Sequence, residues 1–188
     1  MAFWLWIVVA VAALVVLYAA WTYNRLIALG KRADSAWSDI DVQLKRRYDL
    51  VPALVETVKG YARHESSTLE AVVEARSQAA AASNGTISAR GAGERGLAGA
   101  VGRIFALAEA YPDLKASQNF IDLQKNLSDV ENNVQYARRY YNAVVRDQNT
   151  LVESFPSMFV ASTAGFQPRD YFQLESEAER AAPQIHLG

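Results

Sequence analysis

The chain has 188 residues, a formal net charge of -1 and no cysteine, a length that suits one domain of ordinary size with an appendage. The absence of cysteine excludes disulfides, thiolate metal sites, cysteine nucleophiles and a lipidated cysteine. No face gathers Lys and Arg without Asp or Glu interleaved, so the chain lacks a nucleic-acid footprint and no nucleic acid is expected as a partner.

Residues 1–24 carry no charged side chain, and the first charge is Arg25. Within this region residues 3–21, FWLWIVVAVAALVVLYAAW, would extend roughly 28 Å as a helix and match a bilayer core of about 30 Å. Trp4 and Trp6 at one end, and Tyr18, Trp21 and Tyr23 at the other, stand where amphipathic rings prefer the two interfaces. A cleaved signal peptide is the rival reading, but it wants a basic start, a shorter apolar run and small residues around the cleavage point. The segment is therefore expected to be a transmembrane helix. Arg25, Lys31 and Arg32 follow it and no basic side chain precedes it, so the positive-inside rule sets the N-terminus outside and the main domain in the cytoplasm. Val9, Ala12, Ala13 and Ala20 give the span a face of small residues, the kind that lets helices approach closely in lipid.

No Pro or Gly interrupts residues 3–29, and Leu26, Leu29, Ala33, Ala36 and Ile40 carry an apolar stripe onward through Gly30. The membrane helix is thus expected to continue into the first helix of the bundle. There Trp37, Ile40, Leu44, Arg47, Val51, Leu54, Val58 and Tyr61 step by three and four, while Asp39, Asp41, Lys45, Arg46, Asp49 and Lys59 lie on the opposite, solvated face. Pro52 predicts a kink or short break, with Asp49 able to cap the helical segment beyond it. A second helix is signalled by Ser66, Ser67 or Thr68 as N-cap before Leu69, Val72, Val73 and Arg76, with Ser67 and Glu70 spaced as a capping box. Six of the ten glycines fall within residues 85–102, which reads as a loop and a weakly specified helix start. Ile104, Phe105, Leu107 and Ala108 then form a helical piece ending near Tyr111 and Pro112. The last long helix is the clearest: Phe120, Leu123, Leu127, Val130, Val134, Ala137, Tyr141, Val144, Gln148, Leu151 and Phe155 form a heptad seam of coiled-coil type with one polar member. Pro156 ends it. The tail, with Gly165, Pro168 and Pro183, is expected to pack partly extended, with an acidic helical turn near residues 175–180.

These words in this order resemble the LemA family of bacterial membrane proteins over essentially the whole chain. The matching stretches are Tyr23-Asn24, AWSDIDVQLKRRYDLVPALVETVKGYARHE at 36–65, AR at 75–76, YPDLKA at 111–116, LQ at 123–124, RRYYNAVV at 138–145 and ESFPS at 153–157. The resemblance implies a single N-terminal membrane helix, a helical bundle and no settled biochemical activity. One departure stands out, since the family tends to have a second Tyr-Asn in the last helix and Gln148-Asn149 stands in its place here.

Candidates for chemistry are few. Gly91-Ala92-Gly93-Glu94-Arg95-Gly96 spells G-x-G-x-x-G, but no strand precedes it as a dinucleotide-binding unit requires. His64 lacks the second histidine of a zinc-binding helix, and the only other histidine is His186. The facing E-x-x-H pairs of di-metal bundles are absent, as is a nucleophile elbow. Three polar features remain: Arg47 on the apolar stripe, either snorkelling or paired with a carboxylate from another helix; Asn132-Asn133 and Tyr140-Tyr141-Asn142, near the seam; and Gln148 within it.

The expectation is an all-α protein: a transmembrane helix over residues 1–24, a helical bundle, antiparallel in arrangement, over 25–156 with a glycine-rich connection at about 85–102, and an irregular tail over 157–188. It is expected in the bacterial inner membrane as a homo-oligomeric scaffold or assembly unit. No catalytic, cofactor-binding or metal-binding residue is assigned, no cofactor is expected, and the partners are the lipid bilayer, further copies of the chain and an unidentified membrane or cytoplasmic protein. The alternative is a signalling adaptor presenting its bundle or tail; an enzyme is the weakest class.

Overall fold

The computed structural model describes residues 1–173; the expected acidic turn at residues 175–180 and His186 lie outside them. One helix, α1 (Ala2–Tyr61), carries both the apolar segment and the amphipathic stripe. It is followed by α2 (Ser66–Ala82), α3 (Ile87–Ala108), α4 (Pro112–Lys115), α5 (Gln118–Glu153) and α6 (Ser157–Thr163). Among the described residues there is no strand, so the chain is all-α as its periodicity predicts.

Pro52 does not break α1, and Asp49 is an exposed mid-helix residue instead of a cap. Proline lacks the N–H that would serve the carbonyl four residues earlier, here that of Tyr48. Arg76 of α2 supplies the missing donor, its Nε lying 2.8 Å from the Tyr48 carbonyl oxygen. The proline ring itself faces solvent, so the helix continues at the cost of one bond that another helix restores.

The chain packs as two units, Met1–Asp39 with Ala137–Tyr171, and Ile40–Tyr136 with Phe172 and Gln173. In the first, Leu26, Leu29, Ala33 and Ala36 of α1 are buried, as are Tyr141, Val144, Val145 and Gln148 of α5. The Trp37 and Tyr141 rings meet with centroids 5.2 Å apart. After α5 the tail forms α6, a short helix in place of the expected irregular run. Gly165, at φ 76°, turns the chain out of it, a left-handed conformation that glycine adopts without penalty. The following strap is fastened to α5 by the Asn149 amide, whose Nδ2 donates to the Arg169 carbonyl at 2.9 Å while its Oδ1 accepts from the Arg169 N–H at 2.8 Å. Tyr141 donates to the Asp170 carbonyl at 3.1 Å, and Arg169 reaches Asp34 at 2.6 Å.

The second unit holds a continuous apolar core including Val51, Leu54, Val58, Leu69, Val72, Leu97, Ile104, Leu114, Phe120 and Leu127. Each such side chain contributes about 1.5–3 kcal/mol when fully removed from water. The stripe of α1 ends on Ala62, which is buried, and Tyr61 points to solvent. The short links of α1 to α2 and α2 to α3 make them antiparallel neighbours. Helix α2 begins one residue before the expected capping box, at Ser66, with Glu65 as its N-cap and no side-chain cap bond. Thr86 caps α3, accepting from the Ala89 N–H at 3.2 Å.

The glycine-rich stretch is helix α3 and not a loop. One of its glycines serves closeness: a Cβ on Gly93 would lie 3.1 Å from the Cα of Ala79 and 3.4 Å from the Cβ of Ala82, so the two backbones approach where both helices carry only small residues. Gly96 and Gly99 have open space around the same position. Gly93→Val should therefore cost about 1–3 kcal/mol by overpacking, whereas Gly96→Ala and Gly99→Ala should each gain about 0.5–1 kcal/mol by restricting the unfolded chain and favouring helix. Denaturant unfolding of the three variants checks this, and a neutral Gly93→Val would show that the two backbones are not held so close.

Candidate functional site

In the second unit the buried stripe of α1 presents Arg47, 6% exposed, toward Glu94 of α3, 1% exposed. A buried guanidinium must be paired on several sides. Arg47 Nη2 lies 2.6 Å from Glu131 Oε2 on α5, and Nη1 lies 3.5 Å from Glu94 Oε2. Tyr48 donates to Glu94 Oε1 and its hydroxyl also stands 3.4 Å from the Ala79 carbonyl oxygen of α2. Arg90 of α3, itself buried, pairs with Asp41 of α1 and reaches the Ser83 carbonyl at 3.4 Å. Four helices thus converge on one polar cluster inside an apolar core.

Burial is the largest influence on Glu94 and holds its carboxyl above the usual 4.5, against the opposing pull of the Tyr48 bond, Arg47 and Arg90. The geometry explains the balance, since Arg47 gives its short contact to Glu131 and leaves Glu94 the longer one. Burial, followed by the Glu94 bond and charge, likewise pushes the Tyr48 phenol well above its usual range. One hydroxyl proton cannot serve two acceptors. A protonated Glu94 would donate to Tyr48 and free that hydroxyl for the Ala79 carbonyl. The cluster can therefore hold a proton in the core, but each of its groups already faces another.

Beside it runs an open groove of about 610 Å³, lined by Arg47, Glu131, Val101, Phe105, Ile121 and Leu127. Of the other polar residues singled out, Asn132, Asn133 and Tyr140 are exposed, because they fall one or two positions beyond the buried stripe of α5. Asn142 is half-buried and Tyr141 buried. Gln148 is buried in the first unit, and its Oε1 has no hydrogen-bond partner. Phe155, the last seam position, lies past the end of α5 and is exposed. His64 is exposed. Among the described residues no group of three or more His, Asp or Glu is placed to hold a metal ion. Periodicity does not single out Glu94, Glu131, Tyr48 or Asn149, and it places Arg76 on the stripe of the second helix without its partner. Glu94 lies in a glycine-rich run that reads as loop, and Arg76 matters only through the carbonyl that Pro52 leaves free.

These features define a class: a helical bundle pinned by a buried ion cluster and continuous with a helix long and apolar enough to cross a membrane, none of whose apolar window is buried among the described residues. The chain belongs to the LemA family, whose model matches residues 36–187. It is also similar to Magnetosome protein MamQ of Magnetospirillum gryphiswaldense, 23% identical over 174 residues, and to Magnetosome proteins MamQ 2 and MamQ 1 of Paramagnetospirillum magneticum, each 22% identical over 175 residues. Each alignment covers 80% of this chain, which spans 64% of the length of these relatives.

A raised carboxyl means that the folded chain keeps the Glu94 proton to higher pH than the unfolded chain does. The Glu94-linked stability is then full below the ordinary glutamate range and lost as pH rises through the folded value. Glu94→Gln, neutral throughout, removes that loss, so the stability of the wild type relative to the variant should fall as pH rises from about 4 toward neutrality. Urea unfolding across that range measures it, and a difference that grows with pH would show the carboxylate to be favoured instead.

Proposed function

We propose that the chain is a single-pass scaffold of the bacterial inner membrane, a homo-oligomeric assembly unit that holds its helical bundle at the cytoplasmic face and acts without catalysis. The observation that carries this reading is the apolar window of α1, which finds no cover among the described residues. In lipid, where packing drives helix association, its face of Val9, Ala12, Ala13 and Ala20 is open to a second copy. Contacts made there would hold neighbouring bundles at high effective concentration. Arg47, Tyr48, Glu94 and Glu131 of the second unit are paired with one another, which supports a structural use for them. A second reading, an adaptor that docks a partner protein, is favoured by the open groove beside Arg47 and Glu131.

Mass measurement of the full chain in lipid nanodiscs separates the two. The scaffold should contain more than one copy over a wide range of protein-to-lipid ratios, and Ala12→Phe should shift it toward monomer. Monomers throughout would end the scaffold reading and leave the adaptor. Sidedness follows from Arg25, Lys31 and Arg32. With Asn132→Cys as the only thiol, a membrane-impermeant maleimide should label lysed cells and spare intact spheroplasts; labelling of intact spheroplasts would reverse the orientation.

A further inference from the structure

Residues 154–168, SFPSMFVASTAGFQP, form the longest uncharged run after residue 24, and the middle of it is α6. In the first unit α6 buries only Ser157 and Ala161, leaving Met158 and Phe159 exposed. Phe155, just before it, is 79% exposed and Phe159 60%. Their rings meet edge to face with centroids 6.0 Å apart. Three large apolar side chains together on an exposed surface mark a contact with something other than water.

The same unit places this surface beside the end of the apolar segment. Phe159, Val160, Thr163 and Ala164 share an apolar groove with Val16, Ala19, Ala20, Tyr23 and Asn24 of α1, and Phe166 packs on Tyr23 with centroids 6.0 Å apart. Those α1 residues are the last turns of the apolar segment. At 1.5 Å per residue, positions 16–24 rise about 12 Å and straddle Trp21, where aromatic rings mark the edge of the hydrocarbon. The hydroxyls of α6 need no water: Ser162 and Thr163 donate to the Phe159 carbonyl at 3.1 and 2.8 Å, and Ser157 donates to that of Ser154 at 3.0 Å. A helix whose hydroxyls bond to its own backbone, with no charge on it, brings few unmet polar side chains into lipid.

We infer that α6, with Phe155, Met158 and Phe159, is a second membrane contact, an interfacial helix seated in the acyl-chain and headgroup boundary beside the transmembrane anchor. The inference rests on the reading of α1 as that anchor. Its effect is to tie the end of α5 to the bilayer, so that the first unit is held at two points, α1 and α6.

The natural absence of cysteine makes a single nitroxide label clean. The full chain in nanodiscs of neutral and anionic phospholipid is labelled at Met158→Cys, at Leu14→Cys inside the apolar segment and at Asn132→Cys as an exposed reference. Collision rates with oxygen, which concentrates in lipid, and with a water-soluble nickel chelate are then compared. The Met158 label should favour oxygen as the Leu14 label does, at shallower depth. A Met158 label matching Asn132 while Leu14 remains in lipid would overturn the interfacial helix alone. A water-like Leu14 label would overturn the anchor and this inference with it. Exclusion of both reagents at Met158 would mean that protein, such as a second copy, covers α6, and would overturn the lipid assignment.

Discussion

Placing a guanidinium in a hydrocarbon core is expensive, and the second unit is arranged around making it tolerable. Arg47 sits where every neighbour on its stripe is apolar, and its charge is met by Glu131 and Glu94 from two other helices. Tyr48, one residue on, ties Glu94 to α1 and stands beside the Ala79 carbonyl of α2. A buried ion pair adds little net stability compared with well-packed apolar residues, but removing one partner leaves a charge with nowhere to go. Such a cluster penalises any register of α1, α3 and α5 other than the one that pairs it. Its value lies in choosing one packing among several that an apolar seam would permit.

The same helices carry a second constraint, closeness. Gly93 against Ala79 and Ala82 brings the α2 and α3 backbones near enough that even a Cβ at Gly93 would crowd the Ala79 Cα. Pro52 belongs to the same design. It removes a donor from α1, and Arg76 answers from α2, so a local defect becomes a tie between helices. In the first unit Asn149 plays the corresponding part, reading both backbone groups of Arg169 as a strand neighbour would.

Periodicity makes the two long helices legible, because a stripe at steps of three and four survives whatever packs against it: Leu26 to Val58 on α1, and Phe120 to Gln148 on α5. It fails where the driving force is not apolar area. Residues 87–108 hold glycines that favour loops by propensity, and it is the burial of Leu97, Val101 and Ile104, with Gly93 seated against Ala79 and Ala82, that outweighs them. Pro52 reads as a breaker because its compensation lies 24 positions away, at Arg76. Arg47 is visible as an anomaly, a charge on an apolar stripe, and its pairing is among the readings open to it. Glu94 is not visible because its glycine-rich run reads as loop, nor Glu131, since a carboxylate in a charged helix carries no mark of burial. The amides at Asn132 and Asn133 show the converse error: near a seam in sequence, they point away from it.

Arg47 and Glu94 must act as one unit if they set the register of the bundle, and a double-mutant cycle tests that most directly. Arg47→Met, Glu94→Met and the pair are compared with the wild type by denaturant unfolding of the full chain in detergent. Arg47→Met should cost roughly 3 kcal/mol by leaving the buried Glu94 without its cation and the half-buried Glu131 without its short contact, and the double variant should cost less than the two single variants together by about 1–3 kcal/mol. Additivity to within about 0.5 kcal/mol would contradict the coupling, because two residues that do not feel each other cannot be what sets the register.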